Sequence, residues 1–244
     1  MRSHPSIADI TLAGSITEET ARSLCKRIRS AWAYYHFGEV ILHISSPGGD
    51  LVGMERILRE IEDCQREGVL VRTIAEGPVA SAAAVIASAG SPGMREATPD
   101  ARLLYHEPRY WGGSDTQHTA GHLTALLSTL SESTERMLAN LLSRAQSQGD
   151  GSDPVLESHE LPDALRDTLR YELQDGRDPT EPLPLRAVYT RLLHLDLWLT
   201  PKDACGLRLL DRCQRESRML RLAGLDSPSQ QSRSTATRIA GRRA

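Results

Sequence analysis

Ser81 and His106 are the residues whose types and positions could do chemistry. Ser81 follows a β-branched run, Val69 to Ala75, and the pair Gly77-Pro78, which forces a turn before an alanine-rich stretch that ends at Gly90. A serine on such a strand-to-helix corner sits at a helix N-terminus. Unpaired backbone N–H groups and the helix dipole favour developing negative charge there, as an oxygen nucleophile requires. Serine is also a favoured helix cap, so the corner alone leaves cap and nucleophile both open. His106 is the one histidine of eight at a strand end just before a proline, closing the run Arg102 to Tyr105 ahead of Glu107-Pro108. Alone it reads as a structural or exposed histidine; beside a corner serine it reads as a general base. A third turn, Ser46-Pro47-Gly48-Gly49-Asp50, also ends a strand. In an open α/β sheet, chemistry collects at the carboxyl ends of strands.

The elements that must hold these loops alternate. Ile10 to Ala13 reads as a strand, and Thr17 with Glu18 and Glu19 opens a helix running to about Tyr35. Glu39 to Ser45 is a nearly continuous apolar strand of the kind a sheet covered on both faces requires. Met54, Ile57, Leu58 and Ile61 then recur at helical spacing. The repeat predicts an α/β fold with a mainly parallel sheet. From Ser114 a long helix carries leucines from Leu123 to Leu142, and a protruding helix with an apolar stripe predicts self-association. His118 and His122 lie one turn apart on it without a third ligand, and read as surface residues rather than a metal site. After a polar stop at Gln146 to Pro154 comes a helical element, Leu161 to Leu173, between proline-rich breaks. A helix from Leu185 to Leu195 follows, then an extended link, Asp196 to Leu199, then a helix capped at Thr200 with Pro201 first. Residues 226–244 read as a disordered basic tail.

With 244 residues the chain fits one domain, residues 1–225, plus that tail. A formal net charge of -3 gives no electrostatic reason to expect nucleic acid. Lysine occurs only at positions 26 and 202, so it is scarce as a catalytic base. Cys25, Cys64, Cys205 and Cys213 form no Cys-x-x-Cys pair and read as reduced, structural thiols. No signal-peptide core and no membrane-length apolar run is evident, which predicts a soluble, cytoplasmic protein.

The ordered motifs resemble those of the Clp protease proteolytic subunit, the ClpP-like serine peptidases of the Clp/crotonase fold. Ile44-Ser45-Ser46-Pro47-Gly48-Gly49 is similar to the family's Asn-Ser-Pro-Gly-Gly turn, and Gly77 to Ala82 resembles its Gly-x-x-Ala-Ser-Met corner. Arg102 to Pro108 resembles the strand ending in His-Gln-Pro. Asp196-Leu-Trp-Leu-Thr-Pro-Lys-Asp-Ala resembles the stretch that begins with the triad aspartate, and Gly112-Gly113 resembles the start of the handle helix. The resemblance covers Ile10 to Arg212. It implies Ser81 as nucleophile, His106 as general base and Asp196 as the group that orients the histidine, with Asp203 as the other candidate. It implies an oxyanion hole of the Gly49 and Ala82 amides, no cofactor and no metal. The fold implied is the repeated β-β-α core with a handle helix at about 114–145 and a helical insertion at about 146–195. Peptides or unfolded proteins are the implied substrates, and a ring, possibly stacked on a second, is the implied assembly.

This sequence departs from the pattern in four places. Glu107 stands for glutamine, Arg208 for a glycine, and the insertion is longer. The N-terminal segment is shorter, an expectation against docking to the usual AAA+ unfoldase. Two other readings stay open: an inactive or scaffolding subunit, and a crotonase-type acyl-CoA hydratase or isomerase, which needs an oxyanion hole but no nucleophile. A membrane Ser/Lys peptidase is disfavoured for want of a span and a placed lysine.

Overall fold

Alternating strands and amphipathic helices build a parallel sheet in the computed structural model, which describes residues 7–109, 119–146, 155–172 and 181–214. Gly112-Gly113, Ser114, His118, the stop at 147–154 and the tail lie outside the described residues. Five strands run parallel in the order β1 (Ile7–Ala13), β2 (Glu39–Ser45), β3 (Leu70–Ala75), β5 (Arg95–Ala97) and β10 (Arg212–Cys213). Between them pack α1 (Glu18–Arg29), α2 (Leu51–Arg66) and α3 (Ala82–Ala87). Thr17 caps α1 as expected, and at Ser30 the α-helix passes into a π-helical turn that runs to Tyr34, close to the expected end. Met54, Ile57, Leu58 and Ile61 are all buried, and each fully buried side chain of this size contributes about 1.5–3 kcal/mol.

The apolar run of β2 serves a single apolar face. Val40, Leu42 and Ile44 line up with Val71, Thr73 and Ala75 of β3, all buried. The opposite face carries charge. Arg72 pairs with Glu39 at 2.8 Å and with Glu96, which also pairs with Arg212 and accepts from Gln214 at 2.7 Å. These rungs cross β2, β3, β5 and β10. Burial pushes the Glu96 carboxyl up, but its hydrogen bonds to Gln214, Arg212 and Arg72 outweigh burial and leave it below the ordinary range. Continuity of the run therefore does not mean apolar cover on both faces.

A second, smaller sheet orders β4 (Pro78–Ala80), β6 (Arg102–Leu104) and β9 (Trp198–Leu199). Beyond it stands α4 (Ala120–Gln146). Its first half protrudes, with Leu123 and Leu127 exposed, whereas Met137, Leu138, Leu141 and Ala145 are buried. The expected protruding handle is thus half core helix. The segment after α4 holds a two-stranded pair, β7 (Val155–Leu156) and β8 (Leu183–Pro184), with α5 (Asp163–Glu172) and α6 (Leu185–Leu195). Next comes α7 (Pro201–Gly206), capped by Thr200 with Pro201 first, as the sequence predicts. Among the described residues no helix is long and apolar enough to cross a membrane.

Candidate active site

The register of the small sheet brings three motif ends together. Ala80 is paired in parallel with Leu104, so Ser81 and Tyr105 leave their strands side by side. Leu104 is paired in antiparallel fashion with Trp198, so Asp196 approaches the same end from the other direction. The Ser81 N–H donates to Leu104 O at 2.7 Å, tying the serine corner to the histidine strand. Tyr105 is fully buried and its hydroxyl meets Ser88 Oγ of the segment after α3 at 2.8 Å, which anchors the backbone just before His106.

Ser81 has φ 58° and ψ -130°, a conformation that a residue with a Cβ rarely adopts. Its side chain makes no capping hydrogen bond to α3, so the cap reading of the sequence does not describe it. The glycine turn packs directly against this corner. A Cβ on Gly48, whose φ is 90°, would fall 2.5 Å from Ala80 O and 2.6 Å from Ser81 Cβ; on Gly49 it would fall 2.1 Å from Ile16 O. The neighbouring amides in the turn are committed: Gly48 N–H donates to Ser46 Oγ at 3.1 Å and Asp50 N–H to Ile16 O at 2.8 Å. Neither Gly49 nor Ala82 donates its N–H to an acceptor among the described residues.

Ser81, Ala82, Gly48, Gly49 and His106 line one cavity of about 550 Å³, walled on another side by Met137 of α4. His106 is half-buried, and its Nδ1 lies 2.7 Å from Glu107 O. A carbonyl only accepts, so Nδ1 is the donor; in the neutral ring Nε2 then carries the lone pair, the tautomer a general base needs. No hydrogen bond joins His106 to Ser81 or to Asp196 among the described residues.

Asp196 sits at the C-cap of α6 in the left-handed region, φ 50°, and its carboxylate is ion-paired with Arg109. The structure thus brings Ser81 and His106 to one cavity with the two amides, and pairs Asp196 with Arg109, which lines that cavity. Asp203 is occupied otherwise: its carboxylate accepts from Thr200 N–H at 2.9 Å and from Thr200 Oγ1 at 2.7 Å as a helix cap. The Glu107 carboxylate, expected beside His106, faces His194 Nε2 at 3.3 Å, and Glu107 N–H donates to Leu193 O at 3.0 Å. Both contacts dock α6 on the histidine loop. Sequence reasoning missed Arg109; its place three residues after His106, in a loop at a strand end, was the available signal.

The thiols do not compete as nucleophiles. Burial pushes Cys25 and Cys205 up to about 11 and Cys64 to about 12, so they are protonated at neutral pH. Cys213, expected in structural surroundings, is exposed on β10. Among the described residues no cluster of three His, Cys, Asp or Glu side chains could hold a metal, and His122 is exposed on α4.

Comparison with known proteins places this geometry. The chain is 35% identical over 116 residues to the ATP-dependent Clp protease proteolytic subunit 1 of Corynebacterium efficiens, covering 48% of this chain and 50% of that protein. It is 35% identical over 98 residues to subunit 2 of Streptomyces coelicolor, covering 38% and 44%. With subunit 1 of Tropheryma whipplei it shares 43% over 70 residues, covering 29% and 32%. It therefore spans a third to a half of the length of these curated relatives. The α/β architecture with its parallel sheet is the Clp/crotonase-like fold. The Clp protease family model matches residues 6–148, which include the glycine turn, the serine corner and the histidine strand, and the chain belongs to the Clp protease family.

Proposed function

We propose that this chain is a serine endopeptidase that hydrolyses peptide bonds through an acyl-enzyme. The observation that carries the reading is Ser81 held at φ 58° on a corner that opens into the same cavity as His106. Strain of this kind costs about 1–3 kcal/mol and persists where function uses it. Ser81 Oγ attacks the scissile carbonyl while His106 Nε2 takes its proton. The Gly49 and Ala82 amides donate to the oxyanion, and His106 returns the proton to the leaving amine. Water, activated by the same ring, then attacks the acyl carbonyl and frees Ser81. Asp196 orients His106 once its carboxylate reaches Nδ1. The relatives' names describe ATP-dependent proteolytic subunits, which supports a role as one subunit of an assembly driven by a separate ATPase. The exposed Leu123 and Leu127 of α4 support self-association.

A fluorophosphonate probe tests this. The full chain should carry the label on Ser81 and lose it in Ser81→Ala; an unlabelled protein that cleaves no short peptide would sink the reading. That outcome would favour the inactive-subunit alternative, for which the missing His106–Asp196 bond speaks. Acyl-CoA binding without labelling would instead revive the crotonase reading, which nothing at the site favours.

A further inference from the structure

We infer that Arg109 is a substrate-released latch: it holds Asp196 away from His106, and an acidic side chain of a peptide substrate takes its place on the guanidinium and switches the site on. This rests on the serine-peptidase reading. Three observations converge. Arg109 lines the cavity that Ser81 and His106 share, and it is the one Arg or Lys among the described lining residues. Its guanidinium is engaged by the carboxylate that the resemblance assigns to His106. His106 Nδ1, the atom Asp196 would have to reach, donates instead to the neighbouring carbonyl of Glu107. Asp50, the one carboxylate among the described lining residues, already accepts from Gly53 N–H at 2.9 Å as the cap of α2. Among the described residues Arg109 is ion-paired with Asp196 alone, and its half-exposed guanidinium is open to a competing carboxylate.

In the exchange every donor keeps an acceptor, and the substrate carboxylate brings one added negative charge to the site. A substrate carboxylate forms the forked hydrogen bonds to the guanidinium that Asp196 gives up. The Asp196 side chain, at the left-handed C-cap of α6, then turns to accept from His106 Nδ1, which releases Glu107 O. The imidazolium formed during attack gains an adjacent negative charge only in that arrangement. Both members of the pair are close to half exposed, at 46% and 45%, so the latch is weak enough to be displaced by a ligand.

The rate of Ser81 phosphonylation by a fluorophosphonate reads this directly, because the probe reports how well His106 serves as base. Wild type, Arg109→Gln and Arg109→Lys are compared, each with and without N-acetylglutamate α-amide, with the glutamine analogue as control. Freeing Asp196 in Arg109→Gln should raise the rate by up to about fivefold, the limit set by the strength of an exposed pair. The acidic compound should accelerate wild type and leave Arg109→Gln unmoved, while Arg109→Lys keeps the pair and the response. The wild-type response to the acid needs no variant to fold. Equal rates in wild type and Arg109→Gln with no acid response would overturn the latch while leaving Ser81 a working nucleophile. Slower labelling of Arg109→Gln would overturn it too, making Arg109 a support of the site. No labelling of any of the three proteins would remove the serine-peptidase reading and the latch with it.

Discussion

At Ser81 the backbone and the chemistry pull in opposite directions. Its φ of 58° suits glycine, yet the proposed nucleophile needs a side chain. Alanine at this position keeps the Cβ and hence the strain; glycine removes it, at an entropic cost of about 0.5–1 kcal/mol. With strain of about 1–3 kcal/mol at stake, Ser81→Gly should be more stable than Ser81→Ala by roughly 1 kcal/mol, both being unlabelled by the probe. Urea denaturation decides it; a glycine variant no more stable than the alanine variant would show that the corner is relaxed. Ser81, His106 and the two glycines of the turn were legible as residues, because their neighbours, Gly77-Pro78, Glu107-Pro108 and Pro47, punctuate strand ends. Which partners Asp196 and Glu107 choose was not legible, since their identities allow several and only the meeting of the histidine loop with α6 selects Arg109 and His194.

Among the elements, α7 shows the same tension in a structural setting. It ends in a Schellman motif: Leu209 N–H donates to Ala204 O at 2.9 Å and Arg208 N–H to Cys205 O at 2.9 Å. The left-handed residue this motif requires is Arg208, φ 58°, which explains the glycine of the family pattern. Arg208→Gly should stabilise the protein by about 1 kcal/mol, since the left-handed cost of about 1–2 kcal/mol exceeds the contribution of a partly exposed contact with Glu160 at 3.8 Å. A thermal melt checks the sign, and a lowered midpoint would mean that the Arg208 side chain contributes more than its geometry suggests. Helices were readable where capping and periodicity coincide, as at Thr17 and Thr200. The short strands β5 and β10 were not, because stretches of two or three residues carry no period and exist only by pairing with distant neighbours.

At the scale of the whole molecule, a buried clasp joins β5 to the start of β10. Arg95, 1% exposed, donates to Asp211 through Nε at 3.0 Å, Nη2 at 2.6 Å and its backbone N–H at 2.9 Å. Burial pushes the Asp211 carboxyl up, but the bonds from Arg95 outweigh it and hold the group below the ordinary carboxylate range. Its contribution is therefore complete above the unfolded carboxylate value and is lost as pH falls through the lower folded one. Asp211→Asn leaves Arg95 buried without its counter-charge and should cost about 3–5 kcal/mol at neutral pH, a deficit that narrows on acidification below pH ~4. Denaturation at neutral and acidic pH reads both parts, and a deficit independent of pH would show that the ionised pair is not what the clasp supplies. By itself the sequence determined the alternation of strand and helix, the serine corner, the histidine strand and the glycine turn, because turn chemistry and hydrophobic period are local. Only the tertiary structure decided that one face of the sheet is a charged ladder, that half of α4 is core, that α6 docks on the histidine loop, and that Asp196 rests on Arg109. Those outcomes depend on which long-range partners a charged or apolar side chain meets, and no local pattern encodes that choice.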